Sequence, residues 1–521
     1  MKKDVHMEKL VKIIKDNHLI NTNQNDLNAL KNQDELYFID GDVKMYKNSF
    51  YKKDTILYFI AKIGYEKSLY LVSAVEFSSD FNESIDKVED IYVQKVQMNA
   101  DNSFILKKIF PFTAPVSLRE KRTTIGCGDR LGRATPGHIR GIKQFDCYPV
   151  LAQQSIRELN FTKRTYNDVT ADVAYLVFQE GFERGYGADG DHLKTIADID
   201  RALKAGMPMI TLDLSEVMNA GAAEWSEDKM NSAFEEFDQG VKDRIIETYG
   251  DKTFKAGNDS ISLSAFEAKK CTVIYKKALD FAQEVDDHLR KNRGDEYDLE
   301  ISIDETTTPT LPEHHLYIIK ELIHRGVTVN SLAPRFIGEF QKAIDYIGNI
   351  EEFEKQFITH CEISKSHGHY KISVHSGSDK FSVYPAIGKN THLRLHLKTA
   401  GTSWLEAVRC IALSDPLFYR KMHKKAFVHF AEASKFYHIT ADLSRIKDID
   451  TVSDEDLPEY MNQDEARQLL HITYGGLLND HELREDFFHK LTDYEDVYSD
   501  LLAKHFTKHI SLLGVEKVTV K

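Results

Sequence analysis

The chain has 521 residues, more than one ordinary domain needs, so roughly three domains or one large barrel with additions are expected. Apolar residues make up 42% and charged residues 29%, which supplies a sizeable core and excludes global disorder. A net charge of −14, from 68 basic and 82 acidic residues, argues against a nucleic-acid groove or an anionic membrane surface; a small anionic substrate needs only local positive charge.

The first residues, MKKDVHMEKLVKIIKDNHLI, lack the apolar core and cleavage site of a signal peptide, and no apolar run approaches the ~20 residues of a membrane helix. Cys127, Cys147, Cys271, Cys361 and Cys410 stand alone with no CxxC, so neither a zinc knuckle nor a disulfide framework is expected. The expectation is a soluble, cytoplasmic protein with no membrane and no nucleic-acid partner; association into a homo-oligomer is left open. Residues 1–115 read as an α+β appendage without visible chemistry. It opens on an amphipathic helix near Met7–Asn17, followed by strands at Thr55–Lys62, Ser68–Glu76 and Asp90–Met98.

From Thr123 onward, strand-like runs alternate with helical stretches, the pattern of a parallel α/β sheet. Eight runs qualify: Thr124–Arg130, Gly187–His192, Met209–Leu214, Leu299–Thr306, Thr328–Arg335, Lys371–Ser376, His392–Thr399 and Tyr437–Leu443. Helices are expected between them at Thr195–Ala205, Glu313–Arg325 and Ser403–Leu413, with Gly206 and Gly326 at helix C-caps. Eight such units match a TIM-like (β/α)8 barrel over residues 116–480, with a helical insertion at 215–298. Residues 481–521 add helices, and Asp464–Leu478 is expected to close the barrel.

The strand ends carry the chemistry. Apolar residues alternate with polar ones, leaving Ser302 and Asp304, Thr211 and Asp213, Arg394, His396 and Lys398, and Thr440 and Asp442 facing inward. In Lys371–Tyr384, Ile372 and Val374 alternate with Ser373 and His375 before a Ser-Gly-Ser turn. TTIGCGDRLGRATPGH adds Asp129 and Arg130, and GADGDHLKT adds Asp191, His192 and Lys194. Inward polar groups are costly unless paired, so a shared polar mouth is expected. His192 and His375, with Asp304 or the longer-reaching Glu305, suit a divalent cation: mixed N/O ligands favour Zn²⁺, Mn²⁺, Co²⁺ or Ni²⁺ over Ca²⁺. Three other patterns are set aside. The GxGxxG run at Gly185–Gly190 fits a dinucleotide loop poorly, because Asp191 and His192 follow it directly. His505 and His509 read as a solvated helix face without a carboxylate partner, and His367-Gly368-His369 as a loop at the barrel bottom.

Seven stretches together resemble the tagaturonate epimerase family: IGCGDRLGRATPGHIR (Ile125–Arg140), PVLAQQSIREL (Pro149–Leu159), FQEGFERGYGADGDHLKT (Phe178–Thr195), APRFIGEFQKAIDYIG (Ala333–Gly348), HSGSDKFSVYP (His375–Pro385), LKTAGTSWLEAVR (Leu397–Arg409) and LLHITYG (Leu469–Gly475). Residues 1–115 contribute no motif, and Arg133 stands where an apolar residue is expected. The resemblance implies a barrel enzyme using a divalent metal to interconvert D-tagaturonate and D-fructuronate in hexuronate catabolism. Tagatose 4-epimerases are related, which opens activity on fructose and tagatose.

The two uronates differ at a carbinol β to the ketone, beyond reach of simple α-deprotonation. Either retro-aldol cleavage and re-closure or transient oxidation must invert it. For the first route the metal ligands are His192, Asp304 and His375, and the acid/base candidates are Asp129, Asp191 and Glu305. The substrate carboxylate pairs with one of Arg130, Lys194, Arg335 and Lys398, and Ser376 contacts the substrate. Two alternatives stay open: a metal-dependent sugar aldolase, and a non-catalytic barrel that stabilises an aldolase partner.

Overall fold

The computed structural model describes residues 5–31, 38–257, 259–306 and 308–518. Eight parallel strands close a barrel in chain order: β1 (Thr123–Gly128), β2 (Tyr148–Ser155), β3 (Gly187–Leu193), β4 (Met209–Asp213), β5 (Asp298–Ser302), β6 (Ser331–Ala333), β7 (Lys371–Val374) and β8 (Leu395–Lys398). β8 pairs back onto β1, from Leu395 opposite Thr123 to Lys398 opposite Gly126. Helices form where expected. Ile196–Lys204 starts at Thr195, whose side chain accepts a hydrogen bond from the Asp198 N–H. It stops just before Gly206, whose φ of +86° a side chain would strain.

One expected strand is exchanged for another. Tyr437–Leu443 is not in the sheet: Thr440 bonds the Gln341 side chain, and Asp442 caps a turn of 3-10 helix at Leu443–Arg445. The apparent inward register of Thr440 and Asp442 is therefore wrong. The true member is β2, where two steps from Val150 to Ala152 stand against one step from Gly187 to Ala188 on β3. This bulge breaks the period-two pattern, so alternation does not reveal the strand.

The stretch between β4 and β5 is helical apart from an antiparallel hairpin, Lys252–Ala256 with Asp259–Leu263, that sequence reading did not anticipate. Its last helix, Ala265–Arg293, buries Ala268, Cys271 and Ile274 in the core that helix Pro312–His324 shares. The expected closing segment is two helices, Asp464–Ile472 and Tyr474–Asn479, and the first sits over the barrel mouth with His471 lining the cavity there.

The N-terminal region is a seven-stranded antiparallel sheet docked on the barrel. One face covers Leu10, Val11 and Ile14 of helix Val5–Asp16. The other packs Tyr51, Ile60, Leu69 and Leu71 against Tyr175 and Phe178 of barrel helix Tyr166–Glu180. Lys44, Lys62 and Lys67 from this sheet converge on Glu495, which begins the C-terminal helix Glu495–Leu512. Arg133 lines the small gap beside Lys67 and Glu495, not the barrel mouth. Among the described residues no helix is long and apolar enough to cross a membrane.

The C-terminal helix lies directly on Thr135–Ile142, the helix after β1. Gly137 and Gly141, four residues apart, share the contacting face. A Cβ on Gly137 would lie 2.5 Å from Leu502 Cβ and 2.8 Å from the Ser499 carbonyl oxygen. Gly137→Val is therefore expected to separate the helices and cost about 1–3 kcal/mol, as overpacking does elsewhere. Calorimetry should show a melting temperature several degrees lower; an unchanged value would contradict this packing.

Candidate active site

The barrel interior is polar and is organised around one ammonium. Lys398 Nζ, at the end of β8, lies 3.0 Å from Asp189, 2.6 Å from Asp191, 3.0 Å from Glu300 and 2.5 Å from Thr211 Oγ1. Burial opposes its charge, but the three carboxylates outweigh it and hold the Lys398 pKa well above the ordinary lysine value. Burial raises Asp189 to about 6, helped by Asp191 and Glu300 and opposed by Lys398. Lys398 thus already faces three carboxylates of the protein inside the barrel.

Glu300 also ties this layer to the one above, because His375 Nε2 lies 2.6 Å from its Oε1. Alternation along β5 puts Glu300, Ser302 and Asp304 on the inner side, as expected for the last two. His375 Nδ1 meets Asp304 Oδ1 at 3.0 Å, and Ser302 donates to the same oxygen at 2.5 Å. Burial opposes protonation of His375, yet Asp304 and Glu300 push its pKa up to about 10.

His192 completes the group through a backbone irregularity. Opposite β4, three steps from Gly190 to Leu193 match two from Ile210 to Leu212, so β3 carries a bulge. His192 takes a left-handed φ of +53°, and its ring comes 4.9 Å from that of His375, centroid to centroid. Both Asp191 and His192 therefore reach the mouth, which strict alternation forbids. One ligating atom each from His192, Asp304 and His375 lie within 4.8 Å of one another. His192 Nδ1 is buried 3.5 Å from Asp213 Oδ2 and makes no hydrogen bond among the described residues.

A cavity of about 470 Å³ sits above this group and opens into a second of about 490 Å³. Asp304, Glu305, Lys342, His375 and Ser376 line both. Of the residues expected here, Arg130, Asp191, Lys194, Glu305, Ser376 and Lys398 line the inner cavity and Arg335 the outer one. Asp129 does not reach either: its carboxylate accepts the backbone N–H groups of Leu131, Gly132 and Ala134 and holds the β1 loop. Two of the expected cations are already paired, Arg130 with Glu158 at 3.0 Å and Lys194 with Glu216 at 2.7 Å. Arg335 donates to the Thr306 carbonyl.

Sequence reading missed Glu300, Arg157, Glu158, Lys342 and His471, which belong to the site. Arg157, Glu158, Lys342 and His471 lie within quoted family stretches, so the signal was present but unassigned. The GxGxxG run is the barrel strand β3 itself: a Cβ on Gly190 would meet Ala202 and Ile210 side chains, not a phosphate.

His505 and His509 are not a solvated face. His505 Nε2 donates to Asp379 Oδ1 at 2.8 Å, and buried His509 accepts the Asp379 backbone N–H at 3.2 Å. These three ligand-type residues also cluster within 4.8 Å. However, His509 Nδ1 is engaged with the His505 carbonyl at 2.9 Å, and Arg467 holds Asp379 at 2.8 Å. The cluster is a clamp joining the β7 loop to the C-terminal helix and to the helix over the mouth.

This geometry can be set beside known proteins. A family model described as UxaE, tagaturonate epimerase, matches residues 46–513, beginning inside the N-terminal sheet. A tagaturonate/fructuronate epimerase of Thermotoga maritima is 38% identical over 472 residues, which is 90% of this chain and 97% of that protein. The native crystal structure of the fructuronate-tagaturonate epimerase UxaE from Cohnella laeviribosi is 42% identical with a TM-score of 0.86, covering 91% of this chain and 97% of its own. A structure of the same protein with one glycerol gives the same values. Agreement over this length, in sequence and in fold, shows that the chain belongs to the tagaturonate epimerase family.

Proposed function

We propose that this epimerase interconverts D-tagaturonate and D-fructuronate by opening and re-closing a C–C bond at the barrel mouth, with a divalent cation held by His192, Asp304 and His375. The enzyme class, an isomerase, follows from the family. The observation that carries the metal reading is the His375 pairing. Its Nε2 faces Glu300, the carboxylate–histidine arrangement that fixes the tautomer of a metal ligand, and this leaves Nδ1 beside Asp304 Oδ1. Once His375 gives up its Nδ1 proton, that nitrogen and Asp304 Oδ1, with His192 Nδ1 nearby, form a donor set that suits Zn²⁺, Mn²⁺, Co²⁺ or Ni²⁺. A cation held there supplies Lewis acidity where negative charge develops on the ketone oxygen.

The chain's own carboxylates handle the proton. Retro-aldol cleavage breaks the bond between the carbinol carbon and the carbon α to the ketone. The alcohol proton leaves to a base, and the bonding electrons pass into an enediolate. After the aldehyde end rotates, the bond re-forms on the other face and the proton returns. Asp191 lines the cavity floor, where Lys398 holds its carboxylate charged despite burial. Glu305 lies at the exposed rim. One accepts the proton and the other returns it from the opposite side. Asp129, spent on backbone N–H groups, takes no part.

Incubating the purified protein with tagaturonate should yield fructuronate by NMR, and a chelator should abolish it. Release of two fragments would instead identify an aldolase. His375→Ala should lose both bound metal and activity, while Glu300→Gln should weaken metal affinity by roughly 10–100-fold, the usual effect of removing an orienting carboxylate. A full metal equivalent retained in His375→Ala would remove this assignment. Asp191→Asn and Glu305→Gln are each expected to lower kcat at least tenfold, or ~1.4 kcal/mol in barrier, with metal retained. Values of kcat within threefold of wild type in both would rule out carboxylate acid/base chemistry.

A further inference from the structure

We infer that the substrate carboxylate is received by Lys342, with Ser376 and Arg157 beside it, so that this part of the cavity selects hexuronates over neutral ketoses. The inference rests on the proposed hexuronate reaction and names the residues that recognise its anion. Lys398, Arg130 and Lys194, the other inner-cavity cations expected to bind a carboxylate, already face carboxylates of the protein. Lys342 does not. Its Nζ donates to Ser376 Oγ at 2.7 Å, and among the described residues no ion pair forms at this ammonium. Burial lowers its pKa, against the attraction of Glu305. Desolvating an unpaired ammonium in a protein of net charge −14 is costly unless an anion arrives to meet it.

The surroundings are built to hold Lys342 in place. Lys380 Nζ donates to the carbonyls of Gln341 at 2.8 Å and Ile344 at 2.5 Å, on either side of it. Arg467 donates to the Ala343 carbonyl at 2.6 Å, and Gln468 to the Lys342 carbonyl at 3.3 Å. A loop pinned by three buried side chains presents its lysine pre-ordered, which lowers the entropic cost of binding. Ser376 adopts a left-handed φ of +49°, and its hydroxyl meets Lys342. Arg157 stands at the exposed rim with its guanidinium 5.1 Å from the Tyr437 ring, and it too forms no ion pair among the described residues.

Lys342 and Arg157 form a cationic part of the cavity that Asp191, Asp213 and the His192–Asp304–His375 group also line, with Glu305 and Asp304 close enough to act on Lys342. Because His375 and Ser376 are adjacent in the chain, the Lys342 contact and the ligand-type group are tied together by one short segment.

Steady-state kinetics on tagaturonate test this. Lys342→Ala is expected to raise KM at least tenfold with kcat within threefold and metal content unchanged, since a contact made equally in ground and transition states affects binding alone. Lys342→Arg should restore KM to within threefold of wild type. A KM within twofold of wild type in Lys342→Ala, or a loss confined to kcat, would overturn the inference. Should Lys342→Ala fail to fold, Arg157→Met at the rim serves instead: a KM raised threefold or more supports the cationic part, and an unchanged KM overturns it. If the wild-type enzyme does not turn over tagaturonate, the epimerisation reading falls on its own. Calorimetric titration of tagaturonate into wild type and Lys342→Ala then judges the carboxylate site: binding lost in the variant supports it, equal binding overturns it.

Discussion

The Lys398 ammonium is the charge on which the barrel's polar interior depends. Asp189, Asp191 and Glu300 come from β3 and β5, and without a cation between them their mutual repulsion and desolvation would oppose closure of the sheet. Removing one partner of such a buried set typically costs about 3–5 kcal/mol, because the remaining charges stay buried and unmatched. Most (β/α)8 interiors are filled by branched apolar side chains. Here Thr211 and Ser331 also lie buried in the strands and bond Glu300, so hydrogen bonding replaces packing as the principle of the layer. Such a layer has few alternative arrangements, since Lys398, Asp189, Asp191, Glu300, Thr211 and Ser331 are each fixed by another.

From that layer the constraint passes upward through one residue. Glu300 touches Lys398 with the same oxygen that meets His375, so the position of the ring depends on the interior charge balance. His375 in turn meets Asp304, and Asp304 is held by Ser302 on its own strand. The mouth is thus oriented from below by electrostatics and from above by the clamp of Asp379, Arg467, His505 and His509. The C-terminal helix that supplies the two histidines is itself seated on Gly137 and Gly141 and anchored at Glu495 by three lysines of the N-terminal sheet. The appendage without visible chemistry supports, through that helix, the loop that follows His375.

Legibility in the sequence followed backbone regularity. Where strands keep period two, as in β4, β5, β7 and β8, the inner residues Thr211, Asp304, His375 and Lys398 could be read directly. Glu300 belongs to the same register as Asp304 and was legible in principle; only the emphasis on strand ends hid it. The strand β2 was not legible, because its bulge at Val150–Ala152 breaks the alternation and Pro149 demotes a strand reading. Conversely, Tyr437–Leu443 alternates because Tyr437, Ile439, Ala441 and Leu443 are half-buried while His438, Thr440 and Asp442 face solvent. Period two reports one-sided burial, and a sheet is only one way to obtain it. Lys342 could not be found from pattern at all: it lies in the loop after β6, and its significance is the lack of an ion pair among the described residues, a property of three-dimensional packing.

Several departures from regular geometry lie at the mouth and its supporting loop. His192, Ser376 and Asp379 all have positive φ, at +53°, +49° and +64°, in residues that carry a Cβ. Each such conformation costs about 1–3 kcal/mol and persists only where the surroundings over-determine it. For His192 the determining force is the β3 bulge; for Asp379 it is the Arg467–His505 clamp; for Ser376 it is the bond to Lys342 and the hydrogen bond from Gly377 N–H to the Lys398 carbonyl at 2.9 Å. Each distortion turns a polar side chain toward the cavity or its support from a position where regular alternation would not place it. A sequence selected for stability alone would put glycine or asparagine at such sites. Histidine and serine stand there because the side chain, not the turn, is what the site uses, and the polar interior beneath supplies a frame stiff enough to hold them.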